Sequence, residues 1–516
     1  MRKIVSILKR MLNIIIKSFG FLAIAFIIFS LIFVFIWFPY KVKHNQPKWE
    51  SHAKQKETYL KEVSKLNLKE KPNIIIIFFD DLGYGDLSCY GNKLIKTPTI
   101  DSLTNYGVKF TDFYSSSPVC TPSRAGLLTG RLPIRTLAGN HVFMAEGTFA
   151  ADMRKFMGLA NNLPIDEILI SEVFKAIGYK TGMLGKWHLG EVKGHLPNDF
   201  GFDEFYGVKY SNDMLPLNIY RNYNIEEEDK TELVSGSRSY FDSDDSLKIK
   251  GLDQSLLTEK YTNEAVKFIN KNKDKPFFLY FAHSFPHVPH FASKKYAGES
   301  EGGLYGDVVE DLDRSVQLVM EALTANGLEE NTLVIITSDN GADYNGNAGN
   351  LRGRKTQTYE GGQRVPLIVL WKNHLPEGIV TDQMAMNTDF FPTLLSLLNI
   401  PLPNDRIIDG KNIFPVFEGK NSPHDYLYYT NTFTGKIVGV RNNRFKYHIG
   451  GYQSMPVFKA IGVTLNKKPQ LNDLLLGNES HNLIKKFPQK ADSLKNAMNL
   501  KIESLQLETN KRGWKH

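Results

Sequence analysis

Residues 74–81 read Ile-Ile-Ile-Ile-Phe-Phe-Asp-Asp. Six apolar residues without an alternating polar position describe a strand covered on both faces, the habit of a parallel sheet with helices above and below. The two carboxylates that end the run stand where such a strand would emerge from the core. The juncture recurs. Leu333–Ile336 runs into Thr337-Ser338-Asp339-Asn340, Phe277–Ala282 into His283-Ser284-Phe285-Pro286-His287, and the shorter Tyr179–Leu184 into Gly185-Lys186-Trp187-His188; Leu367–Trp371 is a further apolar run. Helix-length segments lie between them, such as Ile165–Ile177, which Gly178 closes as a glycine following the last turn. The pattern predicts an α/β fold with a largely parallel central sheet flanked by helices. Ligands bind such sheets at the carboxyl ends of the strands, so the Asp, Asn, Lys and His residues delivered there point to one shared site.

Composition is that of an ordinary globular chain, with 42% hydrophobic and 23% charged residues. The net charge of +8 is unevenly placed: residues 1–71 hold 14 Lys/Arg against 4 Glu, leaving the remainder at −2. A nucleic-acid binder carries its basicity on the folded domain, so no nucleic-acid partner is expected. Two cysteines, Cys89 and Cys120, allow one bridge on paper and exclude a disulfide-rich scaffold.

Ser18 to Pro39 is a 22-residue run without a charge. As a helix it spans about 33 Å, enough for a hydrocarbon core of about 30 Å. A cleaved signal peptide is the rival reading, but the run ends in Phe-Ile-Trp-Phe-Pro without a small-x-small site. The segment is therefore read as an uncleaved single-pass transmembrane helix, with Trp37 and Tyr40 at the interface. Five Lys/Arg lie on each side, in 1–17 and in 40–56, so charge alone does not orient it. The expected division is a basic tail (1–17), the anchor (18–39), a polar linker (40–71), a catalytic α/β domain (72–420) and a smaller C-terminal α+β subdomain (421–516). In the last, Tyr426–Tyr429, Ile437–Arg441 and Arg444–Ile449 read as antiparallel strands, followed by a loop, Asn472–Ser480, and a Lys-rich helix.

Adjacent carboxylates repel, and a cation relieves them. Asp80 and Asp81 with Asp339 and the amide oxygen of Asn340 form an all-oxygen set suited to a hard ion, Ca²⁺ or Mg²⁺ rather than zinc. The stretch Ser117-Pro118-Val119-Cys120-Thr121-Pro122-Ser123-Arg124-Ala125-Gly126-Leu127-Leu128-Thr129-Gly130 adds a second signal. Thr121 can cap a helix that Pro122 opens and Gly130 ends, which places Cys120 at an anion-attracting helix N-terminus, with Arg124 one turn on to offer a fork to an oxyanion. On the residues alone, the bland reading of Cys120 is a buried structural thiol, and a thiolate nucleophile is a second.

Cys-x-Pro-Ser-Arg-x-x-x-Leu-Thr-Gly resembles the signature of the type I, formylglycine-dependent sulfatases of the alkaline phosphatase superfamily, nearest the arylsulfatase branch. Gly-Lys-Trp-His-Leu-Gly (185–190), Pro-His-x-Pro (286–289), Ser-Asp-Asn-Gly (338–341) and Lys-x-x-Thr-Tyr-Glu-Gly-Gly-x-Arg-Val-Pro (355–366) extend the likeness. The resemblance implies an enzyme that hydrolyses sulfate esters to inorganic sulfate and an alcohol or phenol. It implies that a separate formylglycine-generating enzyme oxidises Cys120 to 3-oxoalanine. Asp80, Asp81, Cys120, Asp339 and Asn340 match the family's metal ligands, usually for Ca²⁺. Arg124, Lys186, His188, His287 and Lys355 match its catalytic residues. Arg124, Lys186, His287, Lys355 and the weaker match Ser211 are expected around the sulfate, with His287 protonating the leaving oxygen and His188 taking a proton. Such an enzyme, anchored by its N-terminus, is expected outside the cytoplasm. Rival readings are a phosphate or phosphonate esterase of the same superfamily and a catalytically inactive receptor for sulfated glycans. His283 and His290 read as ordinary loop histidines, Cys89 as a small buried residue, and substrate choice is placed in loops Asn212–Ser246 and Gly450–Lys468.

Overall fold

The protein is described by a computed structural model covering residues 2–45, 47, 51–229, 252–450, 468–477 and 479–511. Residues 230–246 and 451–467, most of the two expected substrate-choosing loops, lie outside the described residues. In chain order the strands are β1 (Asn73–Phe79), β2 (Val108–Phe110), β3 (Phe113–Tyr114), β4 (Lys180–Lys186), β5 (Glu204–Val208), β6 (Ile219–Arg221), β7 (Asn224–Glu227) and β8 (Phe277–Ala282). They continue with β9 (Thr332–Ser338), β10 (Leu367–Leu370), β11 (Ile379–Thr381), β12 (Ala385–Met386), β13 (Leu427–Thr430), β14 (Ile437–Arg441), β15 (Phe445–His448) and β16 (Gln470–Asp473).

Ten of them form the main sheet in the order β11-β2-β10-β9-β1-β8-β4-β5-β6-β7. The five central strands, β9 to β5, run parallel. Their apolar continuity has the expected cause. Along β1, Ile74, Ile76 and Phe78 pack into one layer and Ile75, Ile77 and Phe79 into the opposite one, all buried. Helices Cys120–Thr129, Ile170–Ala176 and Phe390–Leu397 cover the first face, and Leu257–Asn272 and Gly303–Ala325 the second. The predicted α/β architecture is present. β10 runs antiparallel to both neighbours, as do β6 and β7 at the far edge.

Several local expectations are corrected. The helix expected over Ile165–Ile177 is Ile170–Ala176, because residues 165–169 spend their groups elsewhere: Lys56 donates to the carbonyls of Ile165 and Glu167, and Arg131 pairs with the Glu167 carboxylate. Gly178 ends it as expected, at φ +89° with its amide on the Lys175 carbonyl. The stretch read as a loop over Asn472–Ser480 opens inside β16, which pairs with β15. The polar linker is not a bare spacer. Its helix Ala53–Val63 buries Tyr59 and Val63 in the core, and the Tyr59 hydroxyl donates to the Pro401 carbonyl at 2.8 Å.

One N-terminal helix is long and apolar enough to cross a membrane: Arg2–Ile32 runs on through Phe33–His44, none of its apolar window packed inside the protein. Near its end, Phe33, Trp37 and Phe38 meet Phe149 and Phe156 of the short helix Phe149–Phe156.

β13 to β16 form a separate antiparallel sheet, with helix Pro488–Lys511 against it. Its joint with the main body is an apolar cluster, in which Tyr114, Ile134 and Met386 join Tyr429 and Val440, with a buried ionic group beside it. Lys446 on β15 reaches Glu360 at 2.8 Å and Glu479 at 3.3 Å, and Glu360 also accepts from the Tyr114 hydroxyl at 2.6 Å. Removing one member of a buried ion pair strands the other charge, which costs about 3–5 kcal/mol. Lys446→Met should therefore lower unfolding stability by roughly that amount, read as a shift of the denaturant midpoint at unchanged slope.

Candidate active site

Because β1, β4, β5, β8 and β9 are parallel neighbours, their carboxyl ends open on one edge, and that edge collects the residues the sequence singled out. Asp80 and Asp81 follow β1, Asp339 and Asn340 follow β9, Lys186 ends β4 with His188 two residues on, His287 follows β8 and Ser211 follows β5. The peptide ladder continues past the strands to hold them: Asp80 N–H donates to Phe285, Asp339 N–H to Phe79 and His283 N–H to Phe78. Gly185 precedes Lys186 because a Cβ there would lie 1.8 Å from the Ala282 carbonyl, and its φ is +97°.

Cys120 enters from the first face. The helix begins at Cys120, two residues earlier than expected, with extended Val119 before it and left-handed Gly130 after it. Thr121 is therefore not the cap. Its hydroxyl donates to the His188 carbonyl at 2.9 Å and accepts from the Phe143 amide at 3.1 Å, locking two site segments to the helix start. The Cys120 thiol lies 3.2 Å from the Asp80 carboxylate. Burial, then Asp339 and Asp80, push it well above the ordinary thiol range, which disfavours the thiolate reading. Cys120 and the half-buried Cys89 are both free thiols.

Three carboxylates face one another here. One ligand atom each from Asp80, Asp81, Cys120 and Asp339 falls within 4.8 Å of the others, all four residues buried; Asp80, Cys120 and His287 form an overlapping group. Asp81, at φ +68°, turns so that its carboxylate accepts from Asn340 Nδ2 at 2.8 Å and Lys355 Nζ at 2.7 Å, while its amide donates to Asp339 at 3.1 Å. Cations balance this charge. Lys186 Nζ pairs with Asp80 and reaches the Ser211 hydroxyl at 3.0 Å. Arg124 donates through Nε and Nη2 to Asp339 at 3.1 and 2.8 Å, stands 3.4 Å from Asp80, and donates from Nη1 to the Lys186 carbonyl at 2.9 Å. Its guanidinium thus faces metal-type carboxylates rather than standing free for an oxyanion. Burial opposes the Asp80 charge, but Lys186, His287, Arg124 and Lys355 outweigh it and hold that carboxyl well below its usual range; Asp339 is pushed up by burial and then by Asp80. A divalent cation fits this set. It would offset the carboxylate crowding, and the Asn340 side-chain oxygen is buried without a hydrogen-bond partner among the described residues.

The histidines divide by environment. His188 donates its Nε2 hydrogen to the Phe143 carbonyl at 3.1 Å, so Nδ1 carries the lone pair; Nδ1 is buried with no hydrogen-bond partner among the described residues. Burial, then Lys186 and Arg124, keep the ring neutral. His287 donates from Nδ1 to the Val288 carbonyl at 2.6 Å and places Nε2 3.7 Å from Asp81. His283 and His290 point elsewhere: His283 stacks on Phe79 and meets Ser315, burial lowering its ring to about 3, and His290 lies edge-on to Tyr305.

Sequence reasoning missed two supporting residues and gave a third a different role. Asp213, two residues past Ser211, is held below the usual carboxylate range against burial by His287 and Lys186. Asn387 clasps the Cys120 helix, donating to the Ser123 hydroxyl at 2.8 Å and accepting from the Ser116 amide at 3.0 Å. Thr121, expected as a helix cap, is the third. Of the two that were missed, only Asp213 had a signal, as a carboxylate near an assigned serine.

A parallel-sheet body that gathers carboxylates and cations on one edge, around a helix N-terminus, defines a hydrolase of anionic esters. Comparison with known proteins specifies it. Residues 72–400 match the sulfatase family model and 354–497 that of the N-sulphoglucosamine sulphohydrolase C-terminal region. Human steryl-sulfatase is 33% identical over 468 residues, covering 77% of each chain. Human arylsulfatase A is 35% identical over 417 residues, 74% of this chain and 76% of its own. Among solved structures, the PsFucS1 sulfatase from Pseudoalteromonas sp. superposes with a TM-score of 0.68 at 26% identity, covering 90% of this chain and 96% of that one. The chain belongs to the sulfatase family of the alkaline phosphatase superfamily, and it is an enzyme that hydrolyses sulfate esters. The phosphonate monoester hydrolase of Agrobacterium radiobacter, at 16% identity and TM-score 0.59, shares the fold.

Asp339 is buried against Arg124, so truncation would strand a guanidinium as well as remove a carboxylate. Asp339→Asn keeps a hydrogen-bond acceptor and removes the charge. It should weaken divalent-cation binding by at least about 10-fold, measured by calorimetry, with the near-ultraviolet circular dichroism retained.

Proposed function

We propose that the reaction runs at Cys120 after its conversion to 3-oxoalanine by a formylglycine-generating enzyme. The observation that carries the reading is the placement of Cys120 at a buried helix start, against Asp80 and within reach of Lys186 and Lys355, inside a complete family motif. The hydrated aldehyde supplies an oxygen nucleophile and a second hydroxyl through which sulfate is expelled. Ca²⁺, with Mg²⁺ as the alternative, held by Asp80, Asp81, Asp339, Asn340 and the side chain made from Cys120, supplies charge compensation and polarisation of that oxygen.

The remaining roles belong to the chain's own groups. Lys186 and Lys355 hold the non-bridging oxygens of the sulfate, with Ser211 beside Lys186. Arg124 adds charge to that cradle while orienting Asp339. Cations already fixed in a water-poor site need no reorganisation as charge develops. His287 gives a proton to the departing oxygen, its orientation set by the Val288 carbonyl. His188 accepts a proton at Nδ1, its tautomer fixed by the Phe143 carbonyl. The division into a catalytic domain (72–420) and a C-terminal subdomain (421–516) gives this site a buttress, since Lys446 braces the Lys355–Pro366 segment through Glu360. Ser18–Pro39 is the retained membrane anchor, and the catalytic body lies on the extracytoplasmic side, periplasmic in a cell with two membranes.

Peptide mass spectrometry of residues 110–131 from active protein should find the aldehyde at Cys120, confirmed by an aldehyde-reactive probe. Cys120→Ala should abolish turnover and keep the fold. An unmodified thiol in fully active protein overturns the mechanism.

General acid catalysis contributes about 10²–10⁴-fold when the leaving group needs its proton. His287→Ala should lose activity on that scale against alkyl sulfates and far less against nitrophenyl sulfate. Equal losses across the series would remove the acid role from His287.

A further inference from the structure

The helix Phe149–Phe156 exposes apolar side chains that the catalytic reading does not use. Phe149 is 74% exposed and the neighbouring Met157 57% exposed. Phe149 and Phe156, seven residues apart, share one face, and both stack on Phe38, with ring centroids 6.2 and 5.1 Å away. Phe156 also meets Trp37 edge-on at 5.2 Å and Phe33 at 6.1 Å, and its carbonyl accepts from Asn45 Nδ2 at 2.7 Å. The opposite side of the helix is tied to the body: Ala151 and Arg154 are buried, and Arg154 donates to the carbonyls of Asn140 and Ala160. Its remaining exposed face thus continues the aromatic collar at the end of the uncharged run, where Tyr40, Lys41 and Lys43 follow.

Depth follows from contact. With Ser18–Pro39 in hydrocarbon, Phe33–Phe38 are its last turns, and side chains touching those rings lie at the same level. We infer that the Phe149–Phe156 helix is a second membrane contact, its Phe149 and Met157 seated in the lipid headgroup–acyl boundary beside the anchor. This rests on the anchor reading given above. The occupant is lipid because the patch is continuous with the span, and Trp and Tyr at that level suit the interface. The contact also reaches the site. Phe143, whose amide and carbonyl engage Thr121 and His188, precedes Phe149 by six residues, a stretch of at most about 20 Å. The catalytic edge is thereby held close to the bilayer plane in one orientation rather than swinging on a flexible stalk.

The test uses the full chain in vesicles of phosphatidylcholine and phosphatidylglycerol, carrying the photo-crosslinker benzoylphenylalanine at one position at a time. The positions are Phe149, Phe26 within the span, and Leu318 on helix Gly303–Ala325, which covers the other face of the sheet. Retained aryl-sulfate turnover shows that each variant is folded. Lipid adducts at Phe149 with a yield close to that at Phe26, and only background at Leu318, are the expected result. Adducts at Phe26 without adducts at Phe149 overturn the inference and leave the anchor standing. Cross-linking of Phe149 to a second copy of the chain overturns it in favour of a dimer contact. Absence of lipid adducts at Phe26 overturns the anchor and this contact together.

Discussion

Three carboxylates, Asp80, Asp81 and Asp339, are buried within contact of one another at the ends of adjacent strands. Nothing in a folded core tolerates that without compensation, since each ionised carboxyl loses its water and gains a like charge. Most of the surrounding architecture is the compensation. Lys186, Lys355 and Arg124 come from a strand, a loop and a helix that share only this destination. Each partner is itself buried or nearly so, and its own desolvation is tolerable only because the carboxylates are there. The cluster is therefore mutually conditional, and a missing charge on either side leaves the other unpaired.

This dependence explains which parts of the site were legible in the sequence. Asp80-Asp81 and Asp339-Asn340 each terminate an apolar run, so their place at a sheet edge follows from local pattern. That the two edges adjoin depends on the order β9-β1-β8-β4, which no local signal states; the motif resemblance filled that gap. The helix of Cys120 was legible from Pro122 and Gly130, but its first residue was not. The Thr121 hydroxyl found better partners in the His188 carbonyl and the Phe143 amide than in capping its own helix. Arg124 shows the same limit. Its spacing announces a cation one turn from Cys120, whereas its hydrogen bonds to Asp339 and the Lys186 carbonyl come from strands far away in sequence.

The fold class was the easiest reading, because strands buried on both faces write themselves as unbroken hydrophobics. The errors fell where side chains override periodicity. Residues 165–169 carry a helical pattern yet serve Lys56 and Arg131 instead. Lys446 lies within the stretch Arg444–Ile449, where no local pattern marks it for burial. It is wholly buried with its amine on Oε1 of Glu360, in the segment that also carries Lys355, while Arg364 and the Tyr114 hydroxyl hold Oε2.

That arrangement gives the antiparallel sheet a reason to exist beside the catalytic layer. The segment from Lys355 to Pro366 leaves the edge of the main sheet and must return to β10 while presenting one amine to Asp81. Its backbone is pinned repeatedly, beginning with the Lys355 amide on the Ala342 carbonyl, and two further bonds reach distant segments. The Thr356 amide donates to the Pro118 carbonyl, two residues before Cys120, and the Glu360 amide donates to the Glu479 carboxylate. The first bond ties the lysine to the segment of Cys120, and the second ties it to the smaller sheet through Lys446. A cation meant to meet a small anion must be positioned to within a fraction of an ångström, and a long lysine side chain holds such a position only when its backbone is fixed. The buried Lys446–Glu360–Glu479 group adds to that fixity from outside the cluster, where it can be rigid without taking a place among the carboxylates.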